Sequence, residues 1–285
     1  MGIEISIKAG VDKATSSVSA SGSVQHVITD TEKKTFGLED ADLKNAIAKY
    51  HGKKPNDAYL HSSTPWGDLY KKYNWPQVQT VLVVDSATVT GITSEPTIIA
   101  TKTLTNDSTV TAIFNAGISD QVCNSTESNW SETNTVSVTQ TFSYKVSFLG
   151  TGGGGETSMS YSHEWGQGGS ESQSVTVGSD TGVSVSLEPG ESVDAQLTAS
   201  RGVMKVRIVY KAYLIGDAAA NYNPTYKGHH FWALDIGSIM DAAGLSKIRQ
   251  FTEDIEVGYY ANSKIVLTDS VGEVKDTYLG GAKAA

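Results

Sequence analysis

The chain has 285 residues, only 19% of them charged, and a formal net charge of −9. Such an acidic chain, with no Lys/Arg run, is excluded as a phosphate-neutralising nucleic-acid binder and as one that docks on anionic lipid by charge alone. One cysteine, Cys123, rules out an internal disulfide, and no stretch approaches the roughly 18 apolar residues of a membrane helix.

The chain opens on Ile3, Ile5 and Ile7 at alternate positions, which predicts a strand rather than a signal peptide or a myristoylated end. Residues 40–50 carry Leu43, Ala46, Ile47 and Tyr50 at helical spacing, with Gly52 as the stop. A second short helix is expected from Thr64 as N-cap and Pro65 at the first helical position, with Trp66, Leu69, Tyr70 and Tyr73 on one face. The aromatics Tyr59, Trp66, Tyr70, Tyr73 and Trp75 form either a small core or a receptor- or glycan-binding platform.

From about residue 77 β-branched residues, serine and threonine dominate. Turns are expected at Asn106-Asp107, at residues 152–155, at Pro189-Gly190 and at Arg201-Gly202. Cys123 reads as a sheet residue. A third helix is expected near Ile236, Ile239, Met240 and Ala243, then a strand pair over residues 255–260 and 264–267. The tail after Leu267 has little apolar pattern and reads as a mobile, cleavable end.

Residues 130–149 read as a two-faced strand, apolar on the even positions from Val136 to Phe148 with Gln140 as the exception. One face holds Val136, Val138, Phe142, Tyr144, Val146 and Phe148; the other holds Thr139, Thr141, Ser143, Lys145 and Ser147. This reads as one strand of about 20 residues, reaching about 65 Å. Leu149, Gly150, Gly152, Gly153, Gly154 and Gly155 provide a reversal. Residues 156–177 then place Met159, Tyr161 and Trp165 on one face, and Ser158, Ser160, Ser162 and Glu164 on the other. Folding the arms about the glycines sets Val146 opposite Met159, Tyr144 opposite Tyr161 and Ser143 opposite Ser162, so like meets like across the hairpin. Residues 139–149 and 157–165 match a membrane β-hairpin, which needs a lipid face, a lumen face and about ten residues of span. A long hairpin in a β-sandwich is the competing reading.

Residues 99–216 resemble the aerolysin superfamily of β-pore-forming toxins, in particular its epsilon toxin and mosquitocidal toxin branch. The resemblance lies in Leu104-Thr105-Asn106-Asp107-Ser108, the Ser/Thr-rich arms, Leu187-Glu188-Pro189-Gly190-Glu191-Ser192-Val193, and Ala199-Ser200-Arg201-Gly202, in that order. It implies an all-β, elongated molecule with a few short helices in its N-terminal region, long antiparallel strands and a tucked amphipathic hairpin. Residues 1–95 would form the receptor-binding head, 96–216 the pore module with its hairpin at about 130–178, and 217–285 a segment returning to head and body. Such proteins bind a protein or glycan receptor on a target-cell membrane from outside. They assemble as homo-oligomeric rings, often heptamers, insert their hairpins as one barrel, and are often activated by terminal trimming. Some insecticidal members lack a signal peptide. A non-lytic carbohydrate- or receptor-binding protein that kept the fold is the alternative.

No enzyme is expected. The glycine run lacks the ending of a phosphate loop, and no GxSxG, HExxH or CxxC motif occurs. His229 and His230 are adjacent, so a strand would point them apart, and a loop packed on Phe231 and Trp232 is expected there. No cofactor, metal or nucleic-acid partner is predicted.

Overall fold

The computed structural model describes residues 2–131, 136, 141–149, 157–279 and 282–283. The isoleucine alternation does form a strand, β1 (Glu4–Ala9), with Ile5 and Ile7 buried. It turns back into β2 (Ser17–Ser21) through an Asp12 carboxylate that accepts from the Thr15 amide at 2.8 Å. After β3 (Ser23–Val27) comes α1 (Asp30–Thr35), a helix the hydrophobic pattern does not announce. Its start is a capping box between Thr29 and Glu32, a short-range signal independent of any apolar stripe.

The next helix, α2 (Asp40–His51), follows the predicted spacing and buries Leu43, Ala46 and Ile47. Gly52 ends it at φ 92°, where a Cβ would be strained. Strand β4 (Asp57–Tyr59) leads to α3 (Pro65–Tyr73), which is not the regular helix expected from Thr64. Trp66, Gly67 and Asp68 are left-handed, and Thr64 Oγ1 caps the amide of Leu69 instead, at 2.8 Å. The predicted four-residue face is therefore split: Leu69 and Tyr70 point inward, while Trp66 and Tyr73 are exposed.

Three strands then form the spine. β5 (Gln79–Thr105) has 27 residues, on the order of 90 Å if extended. Short β6 (Ala112–Asn115) follows, then β7 (Ile118–Trp130), β8 (Thr141–Phe148), β9 (Thr157–Glu164), β10 (Gly169–Ser179) and β11 (Ser184–Leu187). β12 (Ser192–Ile215) pairs with β5 on one side. Strands β13 (Asp217–Tyr226) and β14 (His229–Asp235) precede α4 (Ile236–Ala243), the third predicted helix. β15 (Ile248–Asp269) covers the other side of β12, and β16 (Val274–Leu279) and β17 (Ala282–Lys283) continue the sheet.

The main sheet runs β10-β7-β15-β12-β5-β3, with β16 attached to β15 and β17 to β16. A second sheet has the order β2-β1-β8-β9; β6 pairs with β11, and β14-β13-β4 form a three-stranded sheet. The large core lies between the four-stranded sheet, the helices and the middle of the main sheet. A second core lies under β6 and β11, where the expected turns hold. Buried Asn106 donates to the carbonyls of Val110 and Leu187, and Gly190 turns at φ 76°.

Several expectations are corrected. Residues 130–149 are not one strand: Trp130 ends β7 in the main sheet, and β8 begins at Thr141 in the other. The second arm also breaks, at Gly166, which sits at φ 72°, so β9 and β10 belong to different sheets. Alternation reports which way a side chain faces, not which sheet the strand joins. Arg201-Gly202 makes no turn but lies inside β12, with the Tyr259 ring packed over Gly202 where a Cβ would stand 2.3 Å from it. Residues 255–267 form a single strand rather than a pair. The histidine pair is on β14, not in a loop. The tail returns to the sheet as β16 after a turn at 270–273: Tyr278 is buried and its hydroxyl donates to the Ser184 carbonyl at 2.7 Å.

Candidate membrane-insertion hairpin

β8 and β9 form the antiparallel hairpin in the register read from the sequence, with Val146↔Met159, Tyr144↔Tyr161 and Ser143↔Ser162. Because side chains alternate, the central rows across the sheet each have one chemistry, while at the ends Phe142 meets His163 and Phe148 meets Thr157. One inner row runs Ala20, Ile5, Tyr144, Tyr161; the next runs Val18, Ile7, Val146, Met159. Phe142, Tyr144, Val146, Phe148 and Met159 are buried, and the Tyr144 and Tyr161 rings stack at 4.8 Å. The outer rows are polar: Ser21, Glu4, Ser143, Ser162, then Ser19, Ser6, Lys145, Ser160, then Ser17, Lys8, Ser147, Ser158.

The predicted faces are therefore brought together, with three differences. Ser147, expected on the open face, is buried. Tyr161 is only half-buried at the sheet edge. Trp165 lies just past β9 and closes an aromatic cluster, 4.6 Å from Trp130 and edge-on to Phe251 at 5.3 Å. Thr141, Ser143, Lys145, Ser158, Ser160, Ser162 and Glu164 are exposed, and Leu149 is half-buried after β8. Val138, Thr139, Gly150, Gly152, Gly153, Gly154 and Gly155 lie outside the described residues.

Beneath the hairpin sits a residue the composition did not single out. Glu253 of β15 is fully buried. Its Oε1 accepts from Tyr144 of the hairpin at 2.8 Å and from Ser128 of β7 at 2.6 Å; its Oε2 accepts from Tyr210 of β12 at 2.7 Å. One carboxyl thus joins the hairpin to three strands of the body. Burial pushes its pKa up, and the neighbouring Asp254 adds to this, while the three hydroxyls pull the other way. Burial, followed by the adjacent Glu253, also raises the phenols of Tyr144 and Tyr210. The signal was present in the sequence: Glu253 falls in the inward row Phe251, Ile255, Val257, Tyr259.

Around α3 the five predicted aromatics separate. Tyr70 is buried, with its hydroxyl 2.8 Å from the Tyr59 carbonyl and accepting from the Ala219 amide, so it belongs to the core rather than to a binding surface. Trp66 and Tyr73 are exposed, Tyr59 and Trp75 half-buried. Tyr73 stacks on Trp75 at 4.9 Å, and Phe231 lies 5.2 Å from Trp66. Among the described residues no cluster suits a metal ion, and no helix is long and apolar enough to cross a membrane, which says nothing of a β-barrel.

No protein-family model matches the chain. It is 38% identical over 249 residues to U-megalopygitoxin(8)-Mo12 of Megalopyge opercularis, covering 87% of this chain and 85% of that one. It is 39% identical over 245 residues to U-megalopygitoxin(8)-Mc8 of Megalopyge crispata, covering 85% and 83%. Among solved structures, the parasporin-2 toxin of Bacillus thuringiensis superposes with a TM-score of 0.62 at 16% identity, over 87% of this chain and 98% of that one. The chain's fold is aerolysin-like, and the chain belongs to the U-megalopygitoxin(8) family of toxins.

Proposed function

We propose that this protein is a pore-forming toxin that acts from outside on a target-cell membrane. It docks through its head, assembles into a ring of like subunits and contributes β8 and β9 to a common transmembrane barrel. The observation that carries this reading is the hairpin itself. Its buried face, from Phe142 to Met159, is apolar, and its opposite face already meets water. Such a hairpin can exchange protein for lipid on one side and keep water on the other. Eight residues in each strand are close to the span of a tilted membrane strand. The toxin-named relatives and the fold support the same reading. Residues 1–95 and 217–285 would then supply the head and its connection, and 96–216 the pore module.

The test is planar-bilayer recording after calcein release from vesicles made of target-cell membranes. Lys145, exposed on the outer face, would line the lumen. Lys145→Glu should shift selectivity toward cations with assembly intact. Unchanged selectivity in a working channel would contradict this assignment of the faces.

A second reading rests on the head. Exposed Trp66 and Tyr73, with Trp75 and Phe231 beside them, offer an aromatic surface of the kind sugars and protein loops favour. A non-lytic carbohydrate- or receptor-binding protein would bind cells through it and release no dye.

A further inference from the structure

The hairpin has two outer edges, and they are treated differently. β9 ends its sheet and, among the described residues, pairs only with β8. It carries no lysine or proline, the usual devices that blunt an edge. The free edge of β8 is instead occupied by β1, paired in parallel from Glu4↔Ser143 to Ala9↔Phe148. The ladder is extended at both ends, by the Ser143 amide donating to the Ile3 carbonyl and the Leu149 amide donating to the Ala9 carbonyl, each at 3.1 Å. β1 is in turn held by β2 and by the Tyr259 hydroxyl, which donates to the Gly10 carbonyl.

Hairpins that enter one barrel in the same orientation must set β8 of one copy beside β9 of the next, antiparallel. That contact needs the backbone groups β1 now uses. We propose, on the pore-forming reading given above, that the β8 edge under β1 is the docking surface for β9 of a second copy, and that β1 is its built-in blocker. The chemistry of the exchange is balanced: one backbone ladder is broken and another made. The outgoing strand is parallel, the weaker of the two pairings per residue, and the incoming one antiparallel. β9 also presents the alternation needed to keep apolar beside apolar, with Met159 and Tyr161 on one face and Ser158, Ser160 and Ser162 on the other. β1 departs with its own isoleucines, so the apolar rows of β8 and β9 are released together from the core.

The experiment is a reversible lock in a Cys123→Ser background. Ser6 and Lys145 are in register and both exposed, so Ser6→Cys with Lys145→Cys can be oxidised to tie β1 to β8. The comparison protein carries Lys145→Cys with Ser160→Cys, also in register, which ties β8 to its own partner and leaves the outer edges untouched. Both are added to calcein-loaded, resealed erythrocyte ghosts, and detergent-resistant oligomers are scored on the same samples. The oxidised β1–β8 lock should lower release at least tenfold and remain monomeric, and dithiothreitol should restore both readouts. The oxidised β8–β9 tie should behave as its reduced form does. Equal release and oligomers from the β1–β8 protein in both redox states would overturn the proposal alone. Absence of release and of oligomers for every protein, wild type included, would overturn the pore reading and the proposal with it.

Discussion

Replacing Glu253 tests whether the buried carboxyl fastens the hairpin to the body. Glu253→Ala would remove the acceptor shared by Ser128, Tyr144 and Tyr210. Each buried hydroxyl left without a partner costs about 1–3 kcal/mol; because Tyr144 and Tyr210 also hydrogen-bond each other, the loss should be at least about 2 kcal/mol, a sizeable share of a typical domain's stability. Glu253→Gln keeps the shape and removes the titration. The folded-state pKa is raised by burial, so the native protein holds a proton that the unfolded chain has already released. Stability from this group is complete below the ordinary carboxylate value of about 4.3, and is lost as pH rises from there through the folded value. Inside that window the slope is about 1.4 kcal/mol per pH unit. Other groups titrate as well: Asp217 is shifted the same way, Glu32 the opposite way. The informative quantity is therefore the difference between wild type and Glu253→Gln, followed by urea unfolding monitored through tryptophan fluorescence from pH 4 upward. Wild type should lose stability relative to Glu253→Gln as pH rises. Parallel profiles for the two proteins would refute the reasoning.

Val146, buried on the proposed lipid face, should not tolerate charge: Val146→Lys costs about 2–4 kcal/mol per chain near mid-membrane, and single-channel recording should find no conductance, after a thermal melt has established that the monomer folds. Trp66→Ala and Tyr73→Ala remove exposed rings, so stability should move by no more than about 0.5 kcal/mol while cell binding, measured by flow cytometry, falls at least tenfold. Tyr70→Phe should do the reverse, losing about 1–3 kcal/mol through its buried backbone contacts and leaving binding intact. In the second core, Asn106→Ala deprives the carbonyls of Val110 and Leu187 of a donor, and urea unfolding should register a loss of about 1–3 kcal/mol.

The sequence by itself determined the side-chain faces and the hairpin register. Both follow from nearest-neighbour rules: a period of two along a strand, and like chemistry across it. The alternation in residues 141–148 and 157–164 sets the faces, and the length of chain between the two arms sets Tyr144 against Tyr161. Helices α2 and α4 were equally legible, since apolar spacing and glycine stops are local. The aerolysin-like fold came from the resemblance of residues 99–216 to that superfamily, not from periodicity or composition. What only the tertiary structure decided was which backbone lies beside which. Nothing in residues 130–149 says that Trp130 stays in the main sheet while Thr141 begins another. Nothing in the first nine residues says that their isoleucines cover the β8 edge in parallel. Glu253 lay in plain view within an apolar row, yet its partners are separated from it by 125, 109 and 43 positions. Strand pairing and buried hydrogen bonds are made between groups distant in the chain, and a pattern with a range of a few residues carries no information about them.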